Sequence, residues 1–93
     1  MKRYFNYVVT CADGSLYTGI TTDAERRLHE HNHTSRGAKY TRSRRPVTLT
    51  AVWPAPDRST ALREEARIKR LTRKQKLELI DTFIEESRIE KGV

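Results

Sequence analysis

The sequence predicts an α/β domain of the α+β type: a small three-stranded antiparallel sheet flanked by helices, in the order β-β-α-β-α-α. Two observations carry the sheet. Tyr4 to Thr10 and Ser15 to Ile20 are rich in aromatic and β-branched residues, and the turn signal Asp13-Gly14 separates them. Pro46 to Trp53 places Val47, Leu49, Ala51 and Trp53 at a spacing of two, as in a strand with one buried face. The third observation is a pair of capping boxes, Thr22-Asp23-Ala24-Glu25 and Thr72-Arg73-Lys74-Gln75, each opening a helical pattern. At 93 residues the chain holds one core, so a single domain is expected over 1–93.

The hairpin admits two registers. A two-residue Asp13-Gly14 turn pairs residues whose numbers sum to 27 and puts Tyr7 and Tyr17 on opposite faces. A three-residue loop, Ala12-Asp13-Gly14 with Gly14 at positive φ, pairs residues summing to 26 and puts both on one face. The first capping box starts a helix with Thr22 as N-cap, running to about His33. Ala24 and Leu28 share one face of it, Arg27 and His31 another. Residues 34–45, with Gly37, form a polar and basic loop with room for one helical turn. The third strand follows and is ended by Pro54 and Pro56. Ser59 caps a helix over 60–70 with apolar positions Ala61, Leu62, Ala66 and Ile68. The second capping box opens a last helix whose inward residues are Leu77, Ile80, Phe83 and Ile84, ending in an acidic helical tail about 81–93.

Composition narrows the function. Nineteen Lys and Arg against twelve Asp and Glu give a net charge of +7, which favours an anionic partner. The charge is unevenly placed: segments 1–30, 31–56, 57–76 and 77–93 carry 0, +5, +5 and −3. A basic middle beside an acidic tail predicts one electropositive face suited to nucleic acid or another polyanion. A single cysteine, Cys11, excludes an intramolecular disulfide and a cysteine-based zinc cluster, and fits the cytoplasm. The longest apolar runs are three residues, so no membrane span or signal peptide can be drawn.

Among residues that could do chemistry, Glu65 stands out. It falls inside the apolar stripe of Ala61, Leu62 and Ile68, whereas Glu64 is turned about 100° towards solvent. A carboxylate on the inner side of a helix calls for a cation, either one of the many arginines or a metal at the rim of a cleft. His29 and His33 have the spacing of a zinc pair, but no third ligand accompanies them, and exposed histidines are common at helix ends. His31 lies one turn beyond Arg27 and can share a phosphate site with it.

These residues together resemble the GIY-YIG nuclease domain. Phe5-Asn6-Tyr7, then Tyr17-Thr18-Gly19, then Arg27 and His31 fall in its register. Leu16-Tyr17-Thr18-Gly19-Ile20-Thr21-Thr22, Asp57-Arg58-Ser59, Glu65 and Ile68-Lys69 look like its small stand-alone bacterial branch. The resemblance covers about residues 3–80. It departs from the family pattern in Phe-Asn-Tyr in place of Gly-Ile-Tyr, in a spacing between the tyrosines one residue shorter than in many relatives, and in having no match for the late asparagine of some members. It implies metal-dependent endonuclease action on DNA, branched or damaged DNA included, with a place in repair or recombination. Tyr7 and Tyr17 are then the signature tyrosines, Gly19 the residue that lets the backbone pack closely behind the site, Arg27 the phosphate-binding arginine, and Glu65 the ligand of a single Mg²⁺ or Mn²⁺. The best proton acceptor is Tyr17, assisted by His31. An ordinary tyrosine, with a pKa near 10, needs nearby cations to serve at neutral pH. Arg36, Lys39, Tyr40, Arg42, Arg44, Arg45 and Lys69 are the expected nucleic-acid contacts. The implied protein is a monomer or weak dimer with no membrane partner. The alternative is a non-catalytic nucleic-acid-binding module that keeps the fold and the basic face.

Overall fold

The computed structural model describes residues 3–90, with side-chain surroundings through Ser87. Strands β1 (Tyr4–Thr10), β2 (Leu16–Thr21) and β3 (Thr48–Ala55) form an antiparallel sheet in the order β2-β1-β3. Helices α1 (Ala24–His33), α2 (Lys39–Arg42), α3 (Arg58–Arg70) and α4 (Arg73–Glu90) complete the chain. The expected order is present, with α2 as the single turn inside the basic loop. Residues 81–90 continue α4, and 91–93 lie outside the described residues.

The hairpin takes the three-residue loop. Gly14 sits at φ 84°, Cys11 N–H bonds Ser15 O at 2.8 Å and Gly14 N–H bonds Cys11 O at 2.9 Å. This is a tight turn closed by a glycine in the left-handed region. Val9 therefore faces Tyr17, Tyr7 faces Gly19, and both tyrosines project from one side of the sheet.

Both faces of the sheet are covered. Tyr7, Val9, Cys11 and Val47 pack with Leu28 of α1, while Val8, Ala51 and Ile80 pack with Leu16, Trp53 and Phe83 on the other side. The expectation of a single buried face on the third strand is corrected here. The ladder steps from Val8–Ala51 to Val9–Leu49 and leaves Thr50 unpaired, a bulge that shifts the alternation. Val47 and Leu49 consequently join one core, Ala51 and Trp53 the other. Pro54 lies within β3 and does not end it, as an edge strand permits.

Two caps also differ from expectation. Asp23, not Thr22, caps α1 by accepting from Arg26 N–H at 3.0 Å, and Asp57, not Ser59, caps α3 by accepting from Thr60 N–H at 2.7 Å. In each case an aspartate stood one or two residues from the hydroxyl, and its carboxylate is at least as good a cap. The second capping box is formed reciprocally: Thr72 N–H to Gln75 Oε1 at 2.9 Å, and Gln75 N–H to Thr72 Oγ1 at 3.2 Å. Leu62 of α3 and Leu77 and Ile84 of α4 are 37%, 40% and 41% exposed, contrary to their expected inward places, whereas Ile80 and Phe83 of α4 pack on the sheet.

Two asparagines tie helices to strands. Asn6 Nδ2 donates to Ala61 O of α3 at 2.8 Å. Asn32 of α1 grips both polar groups of Val47, at 3.0 and 2.7 Å.

Candidate active site

Tyr7 projects from the middle of β1 towards α1 and is buried. Its ring crosses Gly19, where an added Cβ would stand 2.5 Å from the tyrosine hydroxyl. Gly19 thus makes room for the signature ring itself. Tyr7 Oη lies 2.7 Å from His31 Nε2 and accepts from Arg27 Nε–H at 3.3 Å. Arg27 and His31 reach it from successive turns of α1, as their spacing of four requires. Nδ1 of His31, on the far side of the ring, lies 2.8 Å from Thr41 Oγ1 of α2.

The His31 ring is fully buried and meets the edges of two rings, Tyr7 at 5.7 Å and Tyr17 at 5.5 Å between centroids. Burial, reinforced by the charge of Arg27, pushes its pKa down to about 4, so the imidazole is neutral at physiological pH. Burial pushes Tyr7 up to about 12 in spite of the Arg27 hydrogen bond, so this phenol stays protonated.

Tyr17 is half-buried and stacks on Tyr40 at 5.9 Å. Lys69 Nζ stands 5.9 Å from the centre of the Tyr17 ring and 3.6 Å from Glu65 Oε2. The Glu65 side chain is 21% exposed. Glu64 is 43% exposed and pairs with Arg67 at 2.8 Å, which holds its carboxyl below the usual range. Glu65 is thus the less exposed of the two, although both are half-buried and Glu64 borders a cavity beside Trp53 and Ile68. Five residues from four elements, Tyr7, Tyr17, Arg27, His31 and Glu65, converge on one region.

The model of the GIY-YIG catalytic domain matches residues 3–78. The chain belongs to the GIY-YIG family. It is similar to a UPF0213 protein of Desulfotalea psychrophila, 52% identical over 77 residues that cover 83% of this chain and 70% of the relative. It is also similar to two solution NMR structures. The UPF0213 protein BH0048 from Bacillus halodurans is 42% identical, with 86% of this chain and 84% of that one covered and a TM-score of 0.57. A protein from E. faecalis is 49% identical, with 89% and 88% covered and a TM-score of 0.62. Membership makes this a domain of nuclease type.

In this GIY-YIG domain Arg27 is held from three sides. Nε bonds Tyr7, and Nη1 bonds Glu30 Oε1 at 3.0 Å and Arg36 O at 2.8 Å. The remaining nitrogen, Nη2, takes part in none of these bonds. Glu30 was not a sequence candidate, although its place three residues after Arg27 on a helix signals such a pair. Thr41 was not one either, since its meeting with His31 depends on how α2 folds back on α1.

The basic loop divides into two groups. Arg36, Lys39, Tyr40 and Arg42 are exposed, although Arg42 Nη2 bonds Ser35 O at 3.0 Å. Arg44 braces the loop against the hairpin through Asp13 at 3.1 Å and lies 4.0 Å over the Tyr40 ring. Arg45 is turned inward, contrary to its expected place among the nucleic-acid contacts. Its guanidinium donates to His31 O at 2.6 Å and to Thr34 O, closing the carbonyl end of α1.

The donor set fits a hard divalent ion with few protein ligands. Among the described residues Glu65 meets only the loose Lys69 pair at 3.6 Å, which leaves carboxylate oxygen to bind a cation. Among the described residues no group of three His, Cys, Asp or Glu could hold a metal, and His29 and His33 form only a pair, 4.8 Å apart. One carboxylate completed by water and phosphate oxygens suits Mg²⁺ or Mn²⁺ better than zinc.

Proposed function

We propose that this GIY-YIG protein is an endonuclease that hydrolyses phosphodiester bonds in DNA with the help of one divalent ion. The observation that carries this reading is the hydrogen-bonded line Arg27–Tyr7–His31, flanked by Tyr17 and Glu65. A simple binding surface has no need of a buried neutral histidine that orders a tyrosine and an arginine.

Arg27 presents Nη2 to the non-bridging phosphate oxygens, where negative charge grows in the transition state. Tyr7, held protonated, positions the guanidinium. Tyr17 accepts the proton of the attacking water, with the Lys69 ammonium 5.9 Å from the centre of its ring. Glu65 would hold Mg²⁺ or Mn²⁺, which would supply Lewis-acid polarisation of the phosphate and charge neutralisation at the leaving oxygen. Arg36, Lys39, Tyr40, Arg42 and Lys69 lie along the strand's approach and contact its backbone.

The test is incubation of purified protein with branched, single-stranded and duplex DNA, with and without Mg²⁺ or Mn²⁺. Ion-dependent cleavage supports the reading. Salt-sensitive binding with no cleavage on any substrate would overturn it in favour of a binding module.

A further inference from the structure

Behind the site lies a second layer that the reaction as described does not use. Thr41 Oγ1 is 2.8 Å from His31 Nδ1 and donates to Ala38 O at 3.0 Å. Both His31 and Thr41 are completely buried, so neither can exchange partners with water. The Ala38 N–H also points at Nδ1, but at 3.5 Å it is a long and weak donor, outcompeted by the 2.8 Å contact with Thr41.

A hydroxyl has one proton to give. With that proton on the Ala38 carbonyl, Thr41 can only accept from His31, so the imidazole carries its hydrogen on Nδ1. Nε2 is then bare and takes the Tyr7 hydroxyl proton, and the tyrosine oxygen keeps its lone pairs for Arg27 Nε–H. Every side-chain donor in the chain Arg27, Tyr7, His31, Thr41 then has an acceptor, at the cost of only the long Ala38 N–H contact. In the other tautomer Nε2–H and Arg27 Nε–H would both point at Tyr7 Oη. The tyrosine's own proton would be turned out of its hydrogen bond in a buried place, which is costly.

We infer that Thr41 is a positioning residue: its hydroxyl fixes the Nδ1–H tautomer of His31, and through Tyr7 that tautomer fixes the direction of the Arg27 guanidinium. The inference rests on the nuclease reading only for its kinetic consequence. Thr41 touches neither substrate nor ion and acts through three side chains in series. Its place on the short α2 also explains why a basic surface loop has a buried threonine at its centre.

The experiment compares the parent with Thr41→Val, which keeps the shape and removes the hydroxyl, and with Thr41→Ser, which restores it. Imidazole ¹⁵N NMR of the free protein reads the tautomer without any substrate. The parent and Thr41→Ser show a protonated Nδ1, and Thr41→Val moves the proton to Nε2. On cleaved DNA, Thr41→Val lowers kcat by ~100-fold, the scale of one correctly presented protonation state, with KM little changed. Thr41→Ser recovers most of the rate. A parent protein protonated on Nε2 overturns the inference even if Thr41→Val fails to fold. So does a folded Thr41→Val that keeps Nδ1–H, or one that switches tautomer while cleaving within a few-fold of the parent. Absence of cleavage by the parent counts against the nuclease reading, while the tautomer is still read independently.

Discussion

Gly19 stands directly opposite Tyr7 in the β1–β2 ladder, and the tyrosine ring fills the space that any larger residue would claim for its Cβ. The ring cannot swing aside cheaply, because its hydroxyl is fixed by His31 at 2.7 Å and by Arg27 at 3.3 Å. Gly19→Ala should therefore destabilise the fold by about 1–3 kcal/mol, as overpacking does, and break the Tyr7–His31 bond. Chemical denaturation and the Tyr7 hydroxyl resonance check this. An unchanged midpoint with the bond intact would contradict it.

Thr18, the next residue back along β2, makes the opposite case. Among the described residues its hydroxyl is the buried side-chain oxygen without a hydrogen-bond partner. Valine has the same shape and suits a strand, so Thr18→Val should stabilise the protein by ~1 kcal/mol. In a domain of this size that corresponds to a rise in Tm of roughly 4–8 °C, readable by calorimetry.

His31 makes stability depend on mild acid. Its pKa is about 4 when folded against an ordinary 6.5, so between those values the unfolded chain takes up a proton that the folded chain refuses. The contribution is complete above pH 6.5 and is lost as pH falls through about 4. The gap corresponds to roughly 3 kcal/mol. Asp13, Asp57 and Glu64 are carboxyls held below their ordinary values of 3.8, 3.8 and 4.5 by hydrogen bonds, so their contributions are kept at neutral pH and lost only from the acid end of this window downward. Urea midpoints should therefore fall between pH 7 and pH 4.5 in the parent, and much less in His31→Gln.

The two groups of loop arginines should separate by experiment. Arg45→Ala should lower stability, because it frees the His31 and Thr34 carbonyls. Arg36→Ala with Lys39→Ala should leave stability unchanged and weaken binding. On duplex DNA the slope of log affinity against log salt should fall by about 0.9 for each phosphate that is no longer neutralised. A drop in stability in the double variant, or an unchanged slope, would reverse the assignment.

What the sequence carried was mostly local. Glu65 and Glu64 could be separated because a helix turns by a fixed angle per residue, and both strands of the hairpin follow from composition. The register was undecided between two loops, since Asp13-Gly14 suits either and only the observed Cys11–Ser15 closure selects one. The β3 bulge was invisible because the period-two pattern runs unbroken through Thr50, while the register shift is set by pairing with β1. Arg45 and Thr41 were misplaced or missed for one reason: each acts on a segment distant in sequence, and charge or polarity alone does not say which way a side chain turns.

Cleavage kinetics of Glu65→Gln beside Glu64→Gln test the central claim most directly, because the two glutamates are adjacent in sequence and differ only in the face of α3 they occupy. The account predicts that the parent cuts DNA only with Mg²⁺ or Mn²⁺. Glu65→Gln abolishes cutting while still binding DNA, and Glu64→Gln cuts at nearly the parent rate. Equal loss in both variants, or full activity in Glu65→Gln, would contradict it.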